Sequence, residues 1–171
     1  MSDHVRRNPG RPAGAILLIL AASTGWAAAA PVTLLPPVVG ASELYCLDAR
    51  TGLALRGFDP VTYHLPGGPR GGRPEFEILW RGVAWRFETE ANRQAFLSAS
   101  EAFAPRVGGR DAASAARGIA ADADPEIYAV VDQRLYLFRT EANREAFVAD
   151  PSLRVRAEQA WRALAGTLVQ P

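Results

Sequence analysis

Hydrophobic residues alternate with polar or small ones in two short runs. Phe76, Ile78 and Trp80 share one parity, Arg81-Gly82 follows, and Val83, Trp85 and Phe87 alternate back. A period of two on both sides of a turn pair predicts a β-hairpin. Ile127–Val131 and Leu135–Phe138 flank Asp132-Gln133-Arg134 and predict a second hairpin. After each hairpin the period lengthens. Thr89 precedes an acid and then Ala91, Ala95, Phe96 and Ala99 on one stripe; Thr140 precedes an acid and then Ala142, Ala146 and Phe147. A Thr oxygen can cap the first free N–H groups and an acid suits the positive end of the dipole, so each stretch predicts a helix. Ala157–Leu164 predicts a closing helix with Trp161 turned inward. Leu44–Leu47 and Leu53–Leu55 predict a short strand pair around Arg50-Thr51-Gly52, and the Gly- and Pro-rich Pro66–Pro74 predicts a loop.

The two hairpin-plus-helix patterns are copies. RFETEANRQAF (Arg86–Phe96) returns as LFRTEANREAF (Leu137–Phe147), and Phe87, Thr89, Asn92 and Phe96 meet Phe138, Thr140, Asn143 and Phe147 at an offset of 51. Upstream the offset becomes 52, where Gly57-Phe58-Asp59 meets Gly109-Arg110-Asp111. The copies therefore run over about 57–103 and 109–155. Each opens on an Asp expected to cap a helix start, with Pro60 at the first helical position of copy one. Two copies are too few for a solenoid. The expected fold class is α+β: two ββα halves around one core, packed through Trp85, Phe87, Tyr136 and Phe138, with a C-terminal helix.

A chain of 171 residues suits one domain with a substantial core. Its start changes the picture of where it works. Arg6, Arg7 and Arg11 precede the apolar Ala15–Ala22, and small residues follow at Ala27–Ala30. That order predicts a cleaved signal peptide over 1–29, a Pro-rich linker over 30–42 and a folded region over 43–171. An uncleaved membrane anchor is the rival reading of the same segment. The protein is expected in the periplasm or outside the cell. Net charge is +1, and every basic side chain is Arg. Removing residues 1–29 takes three Arg and one Asp, leaving 16 Arg against 17 acids. Neither balance supplies the basic face that nucleic acid requires.

The words GFDPVTY (Gly57–Tyr63), WRGVAWRFETEANRQAF (Trp80–Phe96), FAPRVGG (Phe103–Gly109) and RLYLF (Arg134–Phe138) resemble the YHS domain family in its secreted stand-alone form. Together they cover roughly residues 53 to 165. The resemblance implies a metal site built from cysteines in some relatives. The corresponding positions here are Thr62, then Glu88 and Asn92, and in the second copy Arg139 and Asn143. None is a thiol, so the resemblance implies a fold whose metal site has degenerated.

Little other chemistry is offered. Cys46 is the one cysteine and His64 the only histidine after the signal segment. A closed zinc site needs four ligands, so metal handling would need Cys46, His64 and carboxylates together. No Ser lies in a nucleophile-elbow context and nothing local activates Cys46. Asp122, Asp124 and Glu126 alternate as in a calcium loop but lack its central Gly and distal Glu. The expected function is non-catalytic, with no cofactor: a binding module for a small ligand or partner protein, its pocket between the halves marked by Tyr63, His64, Trp80 and Trp85. The alternative is metal-ion handling in the periplasm through Cys46 and His64.

Overall fold

A computed structural model describes residues 44–168; the expected signal peptide and the whole of the expected linker lie outside the described residues. The fold is α+β. Strand β1 (Arg73–Trp80) pairs antiparallel with β2 (Val83–Phe87), and helices α1 (Glu90–Ser98) and α2 (Ser100–Phe103) follow. Helix α3 (Ala112–Ala115) opens the second half. It is followed by β3 (Asp124–Val131), β4 (Arg134–Phe138), α4 (Glu141–Ala149) and the closing helix α5 (Pro151–Leu168). Three single 3₁₀ turns, Leu55–Gly57, Thr62–His64 and Arg106–Gly109, connect these elements.

The repetition reaches the backbone irregularities. In the first hairpin Arg73 faces Phe87 but the next pair is Glu77 with Arg86; in the second, Asp124 faces Phe138 and the next pair is Tyr128 with Leu137. Each long strand thus bulges over the same three positions before its ladder resumes. Asp59 N–H donates to Arg70 O and Asp111 N–H to Ala121 O, again at matching places. Thr89 Oγ1 accepts from Asn92 N–H at 3.1 Å and Thr140 Oγ1 from Asn143 N–H at 3.2 Å, so both helices carry the expected caps.

Several local expectations need correction. The second turn is Asp132-Gln133 alone, at φ 51° and 61°, and Arg134 already pairs with Val131. Positive φ at both central residues matches the strand twist, as it does at Arg81-Gly82. The Leu44–Leu55 strand pair is a single bridge between Leu47 and Ala54. Arg73 and Pro74 belong to β1 rather than to the loop. Asp59 opens a 3₁₀ turn, its Oδ1 accepting from Val61 N–H at 2.9 Å, while Asp111 occupies the N-cap position of α3 but its side chain accepts from the Ser114 hydroxyl instead of a backbone N–H. On α1 and α4 only Phe96 and Phe147 are fully buried; Ala91, Ala99, Ala142 and Ala146 are exposed.

The interior is two aromatic clusters rather than one. Trp85 and Phe87 pack on Phe96 with centroids 5.3 and 5.2 Å apart. Tyr136 and Phe138 pack on Phe147 at 5.0 and 5.2 Å. The four hairpin aromatics therefore do not meet one another; each pair belongs to its own half. The halves are joined instead by β4. Its Tyr136 and Phe138 enter the second cluster, whereas Leu135 and Leu137 enter the first beside Trp85 and Tyr63. Strand side chains alternate between faces, so a strand buried on both sides must be apolar at every step. Leu135-Tyr136-Leu137-Phe138 meets that demand, and β2, with Ala84 and Arg86 facing outward, does not.

Candidate functional site

The buried carboxylates anchor each half. Asp59 Oδ2 accepts from Glu88 N–H at 2.8 Å and from the Asn92 side chain at 2.6 Å. Asp111 Oδ2 accepts from Ser114 Oγ at 2.7 Å and from the Asn143 side chain at 2.6 Å, and its Oδ1 has no hydrogen-bond partner. Asn92 and Asn143 are the positions to which the family resemblance assigns ligands; here both amides tie a helix start to a buried Asp.

Of the expected pocket residues, Trp80 and Trp85 meet with ring centroids 5.7 Å apart and share the first cluster with Tyr63, as core rather than as a pocket lining. Tyr63 is buried, its hydroxyl donates to Pro125 O at 3.0 Å and its ring meets Tyr128 edge-on. Burial holds that phenol far above its ordinary value. Trp85 is core, with its indole N–H on Trp80 O. His64 lies edge-on to Phe103; burial lowers its pKa, and Nε2 has no partner. Trp80 is half-buried under the Arg81 guanidinium. Cys46 lies elsewhere, its thiol on Asp122 Oδ1 at 3.5 Å, and burial followed by the Asp122 charge raises its pKa. Among the described residues no group of three or more His, Cys, Asp or Glu side chains is placed to hold a metal ion.

A cavity of about 450 Å³ opens between the first half, the connecting segment and α5, and residues other than the expected ones build it. The first half contributes Arg81 at its hairpin tip and Glu101 on α2, the segment before it contributes Tyr45, and α5 contributes Glu158, Trp161 and Arg162. The connecting Ala104–Gly108 forms the remaining wall. Tyr45 is held by its rings: it packs against Trp85 at 5.3 Å and Trp80 at 5.7 Å. The wall has a strained backbone held by its surroundings. Val107 and Gly108 take φ of 48° and 63°, and Gly108 O accepts from Cys46 N–H at 2.8 Å. A Cβ on Gly108 would lie 2.5 Å from the Trp161 ring and 2.1 Å from Leu44 O, so the absence of a side chain there lets Trp161 close on the wall.

Glu158 organises the charges. Its Oε1 accepts from Tyr136 OH at 2.7 Å and from Arg134 at 2.9 Å, and Oε2 lies 3.4 Å from Arg106. Burial pushes its pKa up, but these donors pull it further the other way, and the net shift is down. Glu158 is thus a fixed anion near neutral pH. Burial and the same carboxylate push Tyr136 up to about 12. Burial also raises Tyr45, against the opposing Arg81 charge. Arg81 pairs with Glu101.

Searches against protein-family models, curated proteins and solved structures find no match for this chain. Among the described residues no helix is long and apolar enough to cross a membrane.

Sequence reasoning missed this cavity for an identifiable reason. Tyr45, Arg106, Glu158, Trp161 and Arg162 all lie outside the two copies, and Arg81 is matched by Asp132 in the second. The repeat drew attention to shared aromatics, which are core. The available signal was the set of large or charged residues that the repeat leaves unexplained.

Proposed function

We propose that this protein is a secreted, non-catalytic binding module of the YHS type, and that it holds a small ligand in the cavity between Tyr45, Arg106 and Trp161. The observation that carries the reading is that cavity. It is of ligand size, sits where the first half meets α5, and combines aromatic walls with a few fixed charges. The buried Asp59–Asn92 and Asp111–Asn143 pairs support the degenerate-metal-site part. They commit the helix starts to structure, with side chains that bind metals poorly beside a hydrogen-bonded carboxylate. The words GFDPVTY and FAPRVGG support the YHS resemblance. The N-terminal residues 1–29 support export.

The test is a small-molecule screen on the purified chain, read from the Trp161 indole NMR signal, which Trp161→Phe identifies. Compounds that shift that signal and leave the Trp85 signal in place are the expected result. A screen that never moves Trp161, alongside a copper or zinc titration that saturates and is lost in Cys46→Ala, would replace this reading with the metal-handling one.

A further inference from the structure

Resting on that binding-site reading, we infer that the ligand is a small organic monocarboxylate with a ring or short alkyl body, its carboxylate taken by Arg106 and Arg162. Three arginines and two glutamates line the cavity. Their pairing is uneven. Arg81 is occupied by Glu101 and lies 4.8 Å over the Trp80 ring. Glu158 Oε1 is occupied by Arg134 and Tyr136, neither of which lines the cavity. Arg106 is left with one long contact, Nη2 to Glu158 Oε2 at 3.4 Å. Arg162 spends Nε on the Glu158 backbone carbonyl at 3.2 Å and makes no ion pair among the described residues. Two guanidiniums therefore line the cavity with donors to spare. A planar fork of N–H groups matches a carboxylate, and charge-assisted bonds of this kind are the strong ones.

The remaining walls decide the rest of the molecule. Tyr45, Pro105, Val107 and Trp161 present ring and aliphatic surface. A bare inorganic anion would leave that surface and most of the 450 Å³ without contact. A cation would face two arginines. A dianion such as a phosphate ester would sit beside the Glu158 and Glu101 carboxylates, which a single negative charge tolerates better. One charge at one end and an apolar body at the other is the shape these walls complement.

The experiment uses the full exported chain and matched pairs of probes: phenylacetate with phenylacetamide, and octanoate with octanamide, with inorganic phosphate as a fifth probe. Each is titrated against the Trp161 indole signal. The acids are expected to bind about tenfold or more tightly than their amides, since one charge-assisted bond is worth about that factor. Arg162→Gln, on the exposed side of α5, is expected to remove about tenfold from acid binding and distinctly less from amide binding, since a neutral carbonyl gains less from the guanidinium. Arg106→Lys, which keeps the charge and loses the fork, is expected to fall between the two. Acids and amides of equal affinity would overturn the carboxylate inference while leaving the cavity as the binding site. Phosphate binding that matches the acids would overturn it in favour of a plain anion site. Failure of all five probes to move Trp161 would overturn both readings.

Discussion

The Asn92 side chain donates to the buried Asp59 carboxylate at 2.6 Å, and Asn143 does the same to Asp111 at the same distance. The two carboxylates differ in their remaining support. Asp59 keeps Val61 N–H on one oxygen and Glu88 N–H on the other, whereas Asp111 keeps only the Ser114 hydroxyl. An uncompensated buried charge costs more than a shared one. Asn143→Ala should therefore destabilise the chain by roughly 2–4 kcal/mol, and Asn92→Ala by roughly 1–2 kcal/mol. Urea unfolding of the two variants measures this directly. The opposite order would mean that the missing partner of Asp111 Oδ1 carries no energetic weight.

Strand β4 makes the halves interdependent. Leu135 and Leu137 complete the first cluster from the second half. Leu137→Ala is expected to cost about 2–5 kcal/mol, in the range of buried leucine truncations. A fragment ending at Pro105 should lack near-UV circular dichroism and a cooperative melt. A fragment that melts sharply alone would show that the first cluster closes without those leucines.

Gly108 holds the cavity wall by having no side chain. Its φ is 63° and an added Cβ would overlap Leu44 O and the Trp161 ring. Gly52 has φ 70° with nothing within 4 Å, so Gly52→Ala measures the conformational cost alone. That cost is about 1–2 kcal/mol. Gly108→Ala should exceed it by at least about 2 kcal/mol and should displace the Trp161 indole signal. Equal losses in the two variants would mean that Trp161 moves aside freely.

His64 should make the fold acid-sensitive. Burial lowers its pKa in the folded chain and leaves Nε2 without a partner. The unfolded chain therefore binds more protons below about pH 6.5, and stability falls as pH drops through that window. Above it the term vanishes, because both states are neutral. His64→Phe should narrow the difference in Tm between about pH 7.5 and 5.5. An unchanged difference would assign the acid loss to carboxylates instead.

Local pattern alone determined the two hairpins, the two Thr-capped helices and their repetition, because alternation, capping and turn propensity act over a few residues. The equivalence of Trp85 with Tyr136 and of Phe87 with Phe138 was legible for the same reason, and so was the inward turn of each. What the alternation could not say is which neighbour each face meets. That choice depends on contacts between residues far apart in the chain, and it made β4 a shared wall, buried Tyr63 and Trp85 instead of lining a pocket with them, and parted Cys46 from His64. The cavity belongs wholly to this second kind of information. Tyr45, Arg106 and Trp161 come from three segments with no common pattern, and only the packing of α5 against the Arg106–Gly109 turn brings their charges and rings to one place.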